Sequence, residues 1–214
     1  QMCIRDSGST GRGVAFSKAD QSRLAQEEFD DLVDAVDHLA AKGWVDKKKV
    51  GITGGSYGGY ASAWAATKLP DRFQAAVMFV GISNQVSKIH TTDIPNEAYL
   101  VHWLMRPEGN WQKFLEASPD YYAENAKTPI LIAHGKDDPR VSYTQGLELY
   151  RSLKNKGDVP VRLVLYPGEG HGNRNRSARL DYSLRTLRWF RHFLQKGAKD
   201  KPDFRIDYSE NASD

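Results

Sequence analysis

The sequence predicts an α/β protein, a mostly parallel sheet with helices on both faces. Three observations lead there. Short apolar runs of strand length alternate with helical patterns four times along the chain. Glycine- and proline-rich turns bound most of these runs. Three loops leaving strand ends carry a serine, a pair of aspartates and a histidine, and open α/β sheets gather functional groups at those ends. The chain has 214 residues, which suits one core.

The elements follow in order. Residues 1–7 have no apolar core segment and are not a signal peptide. They resemble translated read-through of a sequencing adapter. They are therefore read as a non-native leader, which would make Cys3 non-native too. The glycine-rich loop Gly8–Gly13 is not a dinucleotide fingerprint, since Phe16 stands where the third glycine belongs. An amphipathic helix is expected over 20–42, with Leu24, Phe29, Leu32, Val33, Val36, Leu39 and Ala40 at helical spacing and Gly43 as its stop. Asp30, Asp31, Asp34 and Asp37 read as its solvated face, and His38 as a rim residue. Lys49–Thr53 reads as a short buried strand and Tyr60–Thr67 as an alanine-rich helix.

Phe73–Val80 is the second expected strand. From Gly81 to Asp120 the periodicity fades. This stretch holds Tyr99, Trp103, Trp111, His90 and His102, and reads as a partly helical cap or pocket wall between sheet elements. Thr128–His134 is the third strand, followed by a helix over 143–154. Val161–Tyr166 is the fourth. A last helix over 177–195 is expected to bury Leu180, Leu184, Leu187, Trp189, Phe190, Phe193 and Leu194. One domain is expected over 8–198, followed by a polar, loosely held tail over 199–214.

Composition narrows the classes. A net charge of +3 gives no case for nucleic acid or a membrane surface. No apolar run approaches the length of a membrane span. One cysteine excludes an internal disulfide and leaves the compartment open. No His-Glu-x-x-His occurs, and no metal site is expected.

Between the first strand and its helix, Gly54-Gly55-Ser56-Tyr57-Gly58 fits Gly-x-Ser-x-Gly. A serine that attacks a carbonyl has to project from a sharp, strained turn, with chain passing close by, so glycines surround it. The helix that starts there offers free N–H groups to the negative charge of acyl transfer. Serine needs a base, histidine suits that role near neutrality, and a carboxylate fixes the histidine's tautomer. Ser56, then Asp137 or Asp138, then His171 follow the chain order characteristic of the α/β-hydrolase fold. Adjacent residues point different ways, so only one of the two aspartates can face His171.

With these residues in view, nearly everything from Gly8 onward resembles the catalytic domain of the prolyl oligopeptidase family of serine peptidases, which includes dipeptidyl and acylaminoacyl peptidases. The marks are Gly8-Ser9-Thr10-Gly11, Gly54-Gly55-Ser56-Tyr57-Gly58-Gly59-Tyr60, His134-Gly135-Lys136-Asp137-Asp138-Pro139-Arg140-Val141 and Tyr166-Pro167-Gly168-Glu169-Gly170-His171-Gly172. The resemblance implies an α/β-hydrolase fold and hydrolysis of short peptides through an acyl-enzyme on Ser56, with no cofactor. It selects Asp138 over Asp137 as the acid. It implies the Tyr57 N–H as one oxyanion donor, and Arg140, Val141 and Tyr60 as substrate-binding residues.

In that family the second oxyanion donor is a tyrosine upstream of the residues matching Gly8. An N-terminal β-propeller and the first sheet strands also lie upstream. The expectation is thus that the chain is a C-terminal fragment with an exposed sheet edge. It is expected to be nearly inactive by itself, because one lost oxyanion donor costs roughly 100- to 1,000-fold. Other readings on the same scaffold are an esterase or acyl-hydrolase and a non-catalytic hydrolase-like domain. Oligomeric state and localisation are not readable.

Overall fold

The computed structural model describes residues 7–208. Cys3 and most of the expected leader, residues 1–6, lie outside that range, as do residues 209–214 of the tail. Among the described residues a four-stranded parallel sheet carries the chain in the order β1-β2-β3-β4. The strands are β1 (Gly51–Gly55), β2 (Ala75–Phe79), β3 (Ile130–Gly135) and β4 (Val161–Tyr166). Each parallel step needs a crossover, and helices supply them. The α-helices of six residues or more are α1 (Glu27–Ala41), α2 (Tyr57–Thr67), α3 (Gln85–Thr91), α4 (Trp111–Glu116), α5 (Thr144–Lys156) and α6 (Arg176–Phe190). The four expected strands are therefore present, with ends shifted by one or two residues at β1, β2 and β3.

Every residue of β3 is buried, as are Ala75 to Met78 of β2. That is the pattern of strands covered on both faces. One face packs Ile130, Ile132, Val161 and Met78 against Leu149 and Leu153 of α5. The other packs Val77, Leu131, Ala133 and Val164 against Trp189 and Phe193. Here the expectation for the last helix is corrected. Trp189 and Phe193 reach the sheet, but Leu180 and Leu187 are 50% and 43% exposed. Leu180, Leu184 and Leu187 form one stripe of α6, whereas Tyr182 and Trp189, continued by Phe193 in the π-helical segment Arg191–Gln195, form another, and only the second meets the sheet.

The first helix is also shorter than expected. Ser22 and Ala25 take left-handed backbone conformations, with φ of 62° and 64°, so the chain between Asp20 and Gln26 turns rather than coils. The Glu28 carboxylate holds that turn by accepting N–H bonds from Ala25 (2.5 Å) and Gln26 (3.2 Å). Phe29 then buries its ring against Tyr57, Tyr60 and Trp64.

The stretch of weak periodicity folds as a wall over the strand ends. It runs through α3, a short turn at Pro95–Glu97, a π-helical segment at Ala98–Trp103, and α4. Trp103 stacks on Phe114 at 3.9 Å, which fastens this wall to itself. Gln145 of α5 fastens it to the sheet layer. Fully buried, Gln145 accepts from the N–H groups of Ser83 (3.0 Å) and Asn84 (2.9 Å) and donates to Ser87 Oγ (2.7 Å).

Residues 199–208, expected to be loosely held, are instead tied down. Arg162 donates to the carbonyls of Pro202 and Asp203, and Phe204 lies against the Arg162 and Arg185 guanidiniums. Tyr208 donates to Asp181 at 2.6 Å. Polar composition misled here, because α6 and β4 present arginines that the tail's carbonyls and aromatic ring can meet.

Candidate active site

The serine turn is built as the motif requires. Ser56 has φ 58° and ψ −117°, a conformation that non-glycine residues rarely adopt. The turn is tight because the backbone of Gly58 comes within 2.6 Å of where a Cβ on Gly54 would lie. Gly58 itself has open space at that position, so the steric demand falls on Gly54. Tyr57 is the first residue of α2, and its N–H has no acceptor within the helix. Phe79 of β2 accepts the Ser56 N–H at 3.0 Å and so ties the turn to the sheet end.

His171 and Asp138 reach the same point from the loops after β4 and β3. These two loops touch backbone to backbone. A Cβ on Gly135 would fall 2.3 Å from the Gly170 carbonyl oxygen, so only glycine fits there. The result is a hydrogen-bonded relay. Ser56 Oγ lies 2.8 Å from His171 Nε2, and His171 Nδ1 lies 2.8 Å from Asp138 Oδ2. The choice between the aspartates follows from geometry: Asp138 is buried and faces His171, whereas Asp137 lines an open depression on the far side.

Asp138 is held from every side. Its Oδ1 accepts the N–H groups of Arg140 (2.9 Å) and Val141 (3.0 Å). The fully buried His134 lies 3.3 Å from Oδ2 through Nε2, while the same nitrogen donates to the Val141 carbonyl at 2.8 Å. Burial pushes the Asp138 carboxyl up, but hydrogen bonds from His134, His171 and the Val141 N–H outweigh it and hold the group well below the usual carboxylate range.

A cavity of about 330 Å³ opens at Ser56, with Tyr57, Ile82, Trp103, Val141 and His171 in its lining. A second depression of about 430 Å³ lies beyond His171, lined by Asp137, Arg140 and Arg174 among others. Arg140 borders both, and its Nε donates to Asp93 at 2.7 Å. Tyr60 departs from expectation. It is wholly buried behind Tyr57, donates its hydroxyl to the Ala117 carbonyl, and does not line either space. Its place at the end of the helix's first turn, packed against Phe29, Tyr57 and Trp64, decides this rather than the chemistry of its side chain.

Several residues of the site escaped the sequence reading. His134 supports Asp138; it opens the family mark that runs to Val141, but no role was read for it there. Glu28 accepts the Tyr57 hydroxyl at 2.8 Å. Burial raises its carboxyl above the ordinary value, and the bonds from Tyr57 and the Ala25 N–H partly offset this. Gln85 and Lys88 line the cavity. Nothing local in the sequence marks these last three. Among the described residues no group of three or more histidine, cysteine, aspartate or glutamate side chains could hold a metal ion.

A parallel sheet with a strained serine at a strand-to-helix turn, relayed through histidine to a buried aspartate, defines an α/β-hydrolase. Comparison with known proteins carries this to the family. Residues 3–197 match the prolyl oligopeptidase family, and the chain belongs to it. It is 37% identical over 177 residues to dipeptidyl aminopeptidase BIII of Pseudoxanthomonas mexicana, covering 80% of this chain and 25% of that protein. It is 31% identical over 205 residues to the acylamino-acid-releasing enzyme of Rattus norvegicus, covering 90% of this chain and 27% of that one. A puromycin-hydrolysing peptidase of Mycobacterium tuberculosis superposes with a TM-score of 0.84 at 26% identity, over 95% of this chain and 30% of that one. The chain thus spans about a quarter to a third of the length of these relatives.

Proposed function

We propose that this chain is the catalytic part of a longer serine peptidase that hydrolyses short peptides, with Ser56, His171 and Asp138 as its triad. The observation that carries the reading is the unbroken relay from Ser56 Oγ to Asp138, with 2.8 Å at each link. Ser56 Oγ attacks the scissile carbonyl carbon while His171 Nε2 takes its proton. Asp138 keeps the proton on Nδ1 and stabilises the imidazolium. The oxyanion forms beside the Tyr57 N–H. His171 then protonates the leaving amine, and water repeats the sequence in reverse to free the acyl group from Ser56. The similarity to dipeptidyl, acylamino-acid-releasing and puromycin-hydrolysing enzymes supports a peptide substrate.

On this reading the full-length protein carries a β-propeller and a second oxyanion donor before this domain. The chain by itself is then expected to turn peptides over at least about 100-fold more slowly than the full-length protein. The test is made on the full-length protein. A fluorophosphonate should label Ser56, and release of amine from short peptide amides should fall by at least about 10,000-fold in Ser56→Ala. Peptidase activity that survives Ser56→Ala would refute the assignment, and turnover of esters without any peptide would move it to acyl-ester hydrolysis.

A further inference from the structure

The cavity in front of Ser56 contains groups that the reaction does not use. Most of its deeper lining is apolar or aromatic, from Leu24, Tyr57, Ile82, Trp103 and Val141. Two exceptions come from α3. Gln85 and Lys88 lie three residues apart, so they share one face of that helix, and both line the cavity.

Both are unmet. Gln85 is 2% exposed, and its Nε2 is buried without a hydrogen-bond partner. Its main-chain N–H is satisfied by Ser118 Oγ at 2.9 Å, and its side-chain amide stands against the Tyr60 hydroxyl, outside hydrogen-bond geometry. Lys88 is half-buried, and its Nζ makes no ion pair or hydrogen bond among the described residues. Burial pushes its ammonium down, and the charge of Glu97 partly offsets this.

The other charges around the cavity are occupied or stand elsewhere. Arg140 is paired with Asp93, and Glu97 lies 3.2 Å from His102. Asp20 also lines the cavity, and its charge acts on Glu28 and Tyr57. An unmet buried amide beside an unpaired ammonium costs stability unless an incoming acceptor completes both.

We propose that Gln85 and Lys88 are specificity-determining residues that select, on the acyl side of the scissile bond, a side chain ending in acceptor oxygens: a carboxylate or a carboxamide. The residue whose carbonyl meets Ser56 Oγ places its side chain in the cavity that Ser56 and Tyr57 border. The leaving group departs toward the depression beyond His171, which supplies its proton. Glutamate and glutamine reach far enough to present oxygen to α3, whereas leucine and methionine of similar length bury carbon against an unmet donor. Sites built around a polar group reject analogues that lack its partner. This inference rests on the peptidase reading above.

The test uses the full-length protein and dipeptidyl coumarin amides that differ only in the residue before the scissile bond: Glu, Gln, Met or Leu. Expected is a kcat/KM for Glu and Gln that exceeds Met and Leu by roughly 10- to 100-fold. Lys88→Met should lower Glu relative to Gln, which separates carboxylate from carboxamide recognition. Gln85→Leu combined with Lys88→Met should reverse the order in favour of Leu. Fluorophosphonate labelling of Ser56 in each variant reports that the site is folded. Equal or better turnover of Leu and Met by the unaltered protein, or an unchanged ratio in the double variant, overturns the proposal while leaving the peptidase reading intact. Failure to cleave any of the four, with Ser56 unlabelled, overturns both.

Discussion

The relay and the wall that faces it are built on opposite plans. In the relay nearly every polar atom has a partner: Asp138 alone meets two main-chain N–H groups and two histidines. In the wall, α3 presents an amide nitrogen and an ammonium with no hydrogen-bond partner among the described residues. Both regions are anchored by buried hydrogen bonds, the wall through Gln145. The difference therefore does not reflect looseness. A catalytic group must be preorganised before substrate arrives, so its partners come from the protein. A recognition group works by leaving one partner to be supplied.

The comparison can be broken at its strongest point first. Asp138→Asn in the full-length protein keeps the shape of the relay but offers His171 the wrong hydrogen-bond pattern. Its kcat should fall roughly 1,000- to 10,000-fold with little change in KM, measured on a peptide amide. A loss confined to KM would show that Asp138 serves binding instead.

Gln145→Leu tests the anchor of the wall. It strands the Ser83 and Asn84 N–H groups, so the domain should lose about 2–4 kcal/mol, read from the urea midpoint for loss of Ser56 labelling. If the midpoint does not move, the wall is held by its aromatic contacts alone.

A smaller effect is expected in the pH dependence of stability. The folded Asp138 carboxyl is depressed below its unfolded value. Its contribution is thus fully present above about pH 4 and is lost only as pH falls through the depressed folded value. His134→Leu removes one of the donors that lower it and so raises the folded value, so the contribution should be smaller and its loss should be complete at higher pH. Urea midpoints between about pH 2 and 6 would show the difference, and parallel curves for the two proteins would remove His134 from the relay.

How much of this was legible beforehand divides along the same line. The relay was readable because the serine turn imposes a local sequence pattern and because strand-end loops bring distant residues to one edge. Ser56, the pair Asp137 and Asp138, and His171 could be named from order and context, and the family resemblance chose Asp138. The wall was not readable in the same way. Gln85 and Lys88 sit in a helix of seven residues whose face is set by what it packs on, not by a periodic pattern. Tyr60 was misplaced for a related reason: it lies one turn from Ser56, yet its side chain points into the core, which the local sequence does not mark. Leu180 and Leu187 looked like core because leucines at helical spacing do, yet two stripes share α6 and only one meets the sheet.

The fastening of residues 202–208 bears on where this chain can be cut or extended. Tyr208 and Tyr166 both donate to Asp181, which Arg185 also holds at 2.7 Å, and Tyr166 immediately precedes the loop that carries His171. The last described residues are therefore two hydrogen bonds from the end of β4. A polypeptide trimmed after Ala198 would strip a clamp from the strand that leads into the His171 loop, and a protease that nicked there would do the same. Purification tags and fluorescent partners are better joined beyond Tyr208, where this clamp has already closed.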